Sequence, residues 1–127
     1  MTAHPSHAGT IRDTIMKFDD VKFSVGVTNL ATYKSTGKFT CEQEGLYIIS
    51  ASVMSYTNGA YYYISLNGNY ISDTYISPQS ISHSDIHTGA VTVTRKLNRN
   101  DQVWLYAPGS WYIYGSLHSK LTIIKIK

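Results

Sequence analysis

Cysteine, glutamate, phenylalanine and proline are scarce in this chain of 127 residues, and each shortage narrows what it can be. A single cysteine, Cys41, excludes an internal disulfide framework and any CxxC metal or redox pair. It lies in an apolar segment, the setting of a buried and inert thiol. Glutamate occurs only at Glu42 and Glu44, inside one tight turn, and there is no nucleophile elbow, HExxH or phosphate loop. Nothing places a histidine and a carboxylate beside a hydroxyl, so the chain reads as non-enzymatic, with no cofactor. Charged residues make up 15%, 11 basic against 8 acidic, and they form neither a Lys/Arg block nor a basic-aromatic stripe. That balance argues against a nucleic-acid partner. Apolar runs end after a few residues, far short of the roughly 20 that a membrane helix requires, so no membrane insertion is expected. The opening stretch Met1 to Thr10 lacks the apolar core of a signal peptide.

What the chain does have is tyrosine. Eleven tyrosines and 2 tryptophans stand against 3 phenylalanines. Tyr and Trp join a packing face to a hydrogen-bonding tip and suit wet binding surfaces, although strands favour tyrosine in any case. With 43% apolar residues the chain can bury the core of one domain. From Val21 onward, segments rich in Val, Ile, Tyr and Thr are broken by turn chemistry at short intervals, the pattern of an all-β sandwich or barrel. Residues 1–20 show no sustained period and read as a flexible N-terminal arm, leaving 21–127 as the globular domain.

The expected strands are Val21 to Val27, Gly37 to Cys41, Leu46 to Ser55, Tyr61 to Leu66, Asn69 to Ile76, Thr88 to Lys96, Asp101 to Tyr106 and Leu117 to Ile126. Alternation assigns Tyr47, Ile49, Ala51 and Val53 to the core, and with them Tyr62, Ile64 and Leu66. Asn67-Gly68 supplies the positive φ angles of a two-residue hairpin. Successive strands of an antiparallel sandwich run back and forth, so consecutive connections fall at opposite ends. The turns near Glu42 to Gly45, Asn67-Gly68 and Leu97 to Asn100 share one end. Tyr56 to Ala60, Ser77 to His87 and Ala107 to Ser116 share the other, and these longer loops make it the expected binding end.

Two constellations stand there. His83, Asp85 and His87 alternate, so an extended backbone would project two imidazoles and a carboxylate to one face, a set that suits a zinc-like ion or the hydroxyls of a sugar. No fourth ligand is evident, and polar lining is the preferred reading over metal. Calcium wants several oxygens, and the second half of the chain offers only Asp73, Asp85 and Asp101. The second constellation is Pro108 to Gly115, where alternation pairs Trp111 with Ile113 and Tyr112 with Tyr114. Sugars present C–H faces that stack on rings and hydroxyls that seek polar partners. Trp111, Tyr112 and Tyr114, with Asn58, Tyr61, Tyr63, His83, Asp85 and His87, are the expected carbohydrate contacts. The competing reading buries the same rings against a sister subunit.

Phe23, Asn29, Tyr33, Phe39, Gly45 and Tyr47 fall in the order of aromatic, Asn, aromatic, Phe and Gly-x-Tyr that marks the globular head domain of complement C1q and its relatives, which this sequence resembles. Asn100-Asp101-Gln102-Val103-Trp104-Leu105 is similar to that family's Gly-Asp-x-Val-Trp-Leu segment, with Asn in place of Gly. The closing SLHSKLTIIKI departs from the family's usual ending. The resemblance implies a jelly-roll β-sandwich of about ten antiparallel strands, C1q/TNF-like, secreted and trimeric. The trimer would be a homotrimer or a heterotrimer with a paralogous chain. No Gly-X-Y tract precedes the head, which makes it similar to the head-only forms of invertebrate innate immunity, several of them lectins. The expectation is a carbohydrate-binding pattern-recognition protein favouring acetamido sugars, whose methyl wants an aromatic wall and whose amide wants a carbonyl or carboxylate. The alternative is a receptor-binding head of the C1q/TNF kind without sugar activity, or a matrix protein with no ligand site at all.

Overall fold

A strand that buries every second side chain needs a second layer to cover that face, and the order in which this chain lays down its strands supplies it. The computed structural model describes residues 1–78 and 85–127. Its strands are β1 (Thr2–His4), β2 (Gly9–Ile15), β3 (Asp20–Phe23), β4 (Phe39–Thr40), β5 (Gly45–Ser55), β6 (Tyr61–Leu66), β7 (Asn69–Tyr75), β8 (His87–Leu97), β9 (Gln102–Ile113) and β10 (Lys120–Lys125). Sheet A runs β3-β1-β10-β5-β8, and sheet B runs β2-β9-β6-β7 with β4 also paired to β9. Of these strands only β6 and β7 are neighbours both in the chain and in a sheet, and the others alternate between sheets. That alternation is the jelly roll.

Inward positions of both sheets meet in one core. Tyr47, Ile49, Ala51 and Val53 of β5, with Leu121 and Ile123 of β10 beside them in sheet A, pack with Tyr62 and Ile64 of β6 and Val103, Leu105 and Ala107 of β9. Leu66, expected with Tyr62 and Ile64, lies opposite Val103 and packs half-buried against that core. Tyr62 keeps its hydroxyl satisfied inside the core by donating to Gly89 O at 2.9 Å.

Two expectations fail together. Residues 1–20 are no loose arm, since they supply β1 and β2 and bury Met1, Ala3, Met16 and Phe18. β1 lies between β3 and β10, and the Met1 ammonium donates to Ile123 O at 2.7 Å while Ile123 N–H returns a bond to Met1 O at 2.9 Å. β2 pairs along β9 from Ile15 opposite Tyr106 to Gly9 opposite Ile113. β9 therefore continues through Pro108 and Gly109 to Ile113, where a loop from Ala107 to Ser116 was expected. A bulge accommodates the proline: the register shifts between Arg12 and Thr14, Gly109 takes φ of 73°, and its N–H donates to Asp13 Oδ1 at 2.7 Å. The strand expected from Val21 to Val27 ends at Phe23. After it a short helix α1 (Leu30–Thr36) opens on Asn29, whose side chain accepts from Thr32 N–H, and closes on Gly37.

Most residues that carry the family resemblance are structural, although Phe23 is exposed. Phe39 and Tyr47 meet edge to face at 6.2 Å, Tyr33 is buried, and a Cβ at Gly45 would collide with the Lys127 carbonyl. Asn100 stands at φ of 75°, the left-handed region that Asn tolerates best after Gly, which explains the exchange at that position.

Asp101 ties the short turns into one end. Its carboxylate accepts from Asn67 Nδ2 at 2.9 Å and Asn98 N–H at 2.7 Å, its carbonyl accepts from Cys41 N–H at 2.8 Å, and Gln102 N–H donates to Asn67 Oδ1 at 2.8 Å. The Asn67 and Asn98 bonds hold its carboxyl below the usual range. A depressed carboxyl stabilises the fold above its unfolded pKa, and that share is lost as pH falls through the lower folded value. Asp101→Ala should therefore cost about 1 kcal/mol in urea unfolding at neutral pH, discounted for its exposure. The gap between variant and parent should shrink below about pH 4. An undiminished gap at acid pH would mean that the carboxylate's charge plays no part.

Candidate functional site

The long-loop end is held by buried hydroxyls. Ser119, fully buried, donates to Tyr114 O at 2.6 Å, accepts from Met54 N–H at 3.1 Å, and offers its carbonyl to His4 Nδ1 at 2.7 Å. Thr57 Oγ1 accepts from Tyr112 N–H at 3.0 Å, and Ser77 Oγ donates to Thr57 O at 2.6 Å. These bonds fix the backbone under a ring cluster. Tyr56 stacks on Tyr112 with centroids 4.8 Å apart, Tyr114 meets Tyr112 edge-on at 5.2 Å, and His118 meets Tyr114 at 5.9 Å. Tyr112 and Tyr114 are half-buried and Tyr56 is exposed, so the cluster is braced from below and open above.

A second array covers the outer face of sheet B. With Tyr62, Ile64, Leu105 and Ala107 turned inward, alternation turns Tyr61, Tyr63, Trp104 and Tyr106 outward. β7 adds its own rings opposite them. Tyr75 stacks on Tyr61 at 4.9 Å, Tyr70 on Tyr63 at 4.0 Å, and Tyr70 continues toward Tyr106 at 6.4 Å. Lys38 Nζ sits 4.7 Å from the Trp104 ring, a cation-π contact at the far side of the array. The bond between the Tyr61 and Tyr63 hydroxyls raises the Tyr63 phenol above its ordinary range, with the nearby Asp73 charge adding to the effect. The Tyr63 hydroxyl can both donate and accept.

Of the expected contacts, Tyr112, Tyr114, Tyr61 and Tyr63 do stand on one outward surface. Trp111 does not: it is 3% exposed and packs inward beside Ile113, as the alternation pairs them, once β2 makes the segment a strand. Its indole nitrogen is buried and has no hydrogen-bond partner among the described residues. Asn58 is half-buried in the loop between β5 and β6. His87 begins β8 opposite Ser55, half-buried, and Asp85 is exposed. His83 lies outside the described residues, so the His83-Asp85-His87 alternation has no described geometry. Among the described residues no three His, Cys, Asp or Glu side chains gather as a metal would need. Cys41 is buried, its thiol donating to Gln43 O at 3.2 Å.

Sequence reasoning passed over Tyr56, Tyr70, Tyr75, Tyr106 and His118. The Asn67-Gly68 hairpin was the available signal, because a two-residue turn fixes which β7 tyrosine lies beside which β6 tyrosine. The outer face of sheet A is different in kind. Ile48, Ser50, Ser52, Thr92, Thr122 and Ile124 turn outward there, with Lys120 beside Ser52 and Lys96 beside Leu46 toward the two ends of the same face. At its short-turn end a groove of about 630 Å³ is lined by Phe23, Val25, Ile124 and Ile126.

The family model for the C1q domain matches residues 3–123. No curated protein sequence matches the chain. Among solved structures, the globular domain of zebrafish complement 1qA protein aligns with a TM-score of 0.77 at 14% identity, covering 99% of this chain and 95% of that one. The Eiger TNF of S. frugiperda aligns at 0.74 with 9% identity, covering 100% and 92%. Murine APRIL aligns at 0.70 with 14% identity, covering 98% of each. At these identities the likeness is one of fold.

Trp111 separates packing from recognition. Trp111→Ala should destabilise the domain by about 3 to 5 kcal/mol in denaturant unfolding, the range for emptying a large core site. A variant of parental stability would contradict its place in the core.

Proposed function

Since the chain belongs to the C1q domain family, we propose that it is a non-enzymatic recognition head that binds carbohydrate outside the cell through the aromatic rings of sheet B and the adjoining loop end. The observation that carries the reading is the Tyr56, Tyr112 and Tyr114 cluster, fixed from below by Thr57 and Ser119 while its rings stay open to solvent. A sugar's C–H face can rest on such rings while hydroxyl and imidazole tips take its hydroxyls, the pairing of apolar wall and few oriented polar groups that small-molecule sites use. Asn58, Thr57 and His118 are the nearby polar groups, and an acetamido sugar would place its methyl against tyrosine and its amide toward them. Among the described residues no helix is long and apolar enough to cross a membrane.

Heads of the C1q and tumour necrosis factor families typically form trimers. For this chain the outer face of sheet A supports the same assembly as a homotrimer. Its central Ser, Thr and Ile side chains can approach closely, with Lys120 and Lys96 set toward its two ends, and using it leaves the outward tyrosines of sheet B uncovered. Three sites on one particle would bind a glycan-coated surface far more tightly than one.

Two measurements follow. On a glycan array the protein should give signal that free sugar competes and that EDTA leaves intact. Tyr112→Ala and Tyr114→Ala should each weaken monovalent sugar by roughly 5-fold to 150-fold, the equivalent of about 1 to 3 kcal/mol of lost contact. An array without competed signal, alongside saturable binding to a protein receptor, would replace the lectin reading with the receptor one. For assembly, light scattering should give about three times the 14.2 kDa chain mass. Ile48→Lys should lower it toward one chain, and a parent that is monomeric at micromolar concentration would overturn the trimer.

A further inference from the structure

The loop that carries Tyr56 into the end cluster runs directly into Tyr61, the first ring of the array along β6 and β7. Resting on the carbohydrate reading above, we propose that the ligand is an extended, uncharged glycan chain rather than a lone terminal sugar, and that its inner units lie along Tyr61, Tyr63, Tyr70 and Tyr75 on the outer face of sheet B.

Three observations support this occupant. The first is length. Tyr70 and Tyr75 are separated along β7 by five residues, about 17 Å of strand and room for roughly three sugar rings in a row. A terminal sugar needs only the end cluster.

The second is the way the rings stand. Tyr63 and Tyr70 are stacked nearly parallel, 8° apart, and Tyr61 and Tyr75 are 20° apart. Rings paired in this way cover part of each other's faces and hold one another upright on the sheet. Tyr70 remains 58% exposed and Tyr75 54%, both on the edge strand of sheet B. Such pairs present ring edges, partly open faces and a row of hydroxyls, which matches a ligand with C–H groups and hydroxyls repeated along its length. The rings are braced before any ligand arrives, so little side-chain entropy is lost on binding.

The third is charge. Asp73 is the one charged residue of β6 and β7, and it lies opposite Tyr63 in the register, within the array. A carboxylate there accepts hydroxyl hydrogens from a neutral chain. It repels the carboxylates or sulfates of an acidic one.

The test uses the intact protein with monovalent oligosaccharides in calorimetric titration. Two neutral series serve as probes, β-linked N-acetylglucosamine oligomers and α-linked glucose oligomers, each from one to six units. Oligogalacturonates of the same lengths provide the acidic arm. For at least one neutral series, affinity should rise about tenfold or more from one unit to about four and then level off. The acidic series should show no such rise. Tyr70→Ala and Tyr75→Ala should each flatten the rise with length. Tyr112→Ala should lower all lengths together. Affinity independent of length, with single sugars still bound, would overturn the chain-binding proposal and leave the carbohydrate reading standing. So would a rise that survives both β7 substitutions, or one seen only with galacturonates. If no oligosaccharide of any length binds, both fall.

Discussion

β9 is bonded on both sides, and the rest of the molecule follows from that. β2 and β4 pair with it along one edge and β6 along the other, so its 12 residues hold three strands in register. Strand alternation then leaves each β9 side chain one of two destinations. Val103, Leu105, Ala107, Trp111 and Ile113 go to the core, and Trp104, Tyr106 and Tyr112 go to the outer face. A shift of one residue would exchange the two sets, burying tyrosine hydroxyls and exposing the core. The register that builds the sandwich thus also sets out the tyrosine surface of sheet B.

The two outer faces carry different chemistry, and the proposed roles follow that difference. Sheet A turns out mostly Ser, Thr and Ile, with Lys120 and Lys96 toward its ends, and is the face proposed to meet copies of itself. Sheet B turns out tyrosine, whose rings and hydroxyls suit a ligand that is partly apolar and rich in hydrogen-bonding groups. Rigidity comes from beneath in each case, from Asp101 at the short-turn end and from Thr57 and Ser119 at the other. Recognition can then occur on rings that are already placed.

Sequence patterning was most reliable where a strand's own alternation or its turn decided the outcome. β6 has the expected bounds, β5 and β7 differ from theirs by one residue, and the Asn67-Gly68 hairpin joins β6 to β7. The failures share one origin. β2 has the sequence GTIRDTI, whose alternation is broken at the bulge between Arg12 and Thr14, so residues 1–20 show no sustained period and read as an arm. Without β2 there was no partner for Ser110 to Ile113, and Pro108-Gly109 then looked like the start of a loop. Trp111 was in consequence counted among the ligand contacts. The ladder of Tyr70, Tyr75 and Tyr106 depends on cross-strand neighbours, which a single strand's pattern does not reveal.

The central claim is that outward tyrosines of sheet B, and not the core or sheet A, meet a carbohydrate. Eleven tyrosines give it a direct test, because Tyr33, Tyr47 and Tyr62 are buried and serve as internal controls. Selective isotope labelling of tyrosine rings allows each to be followed by NMR as a neutral oligosaccharide is added. The account predicts shifts at Tyr56, Tyr112 and Tyr114 and along Tyr61, Tyr63, Tyr70 and Tyr75, with the three buried rings unmoved. Shifts confined to the buried rings, or saturable sugar binding that leaves all the outward rings unchanged, would contradict it.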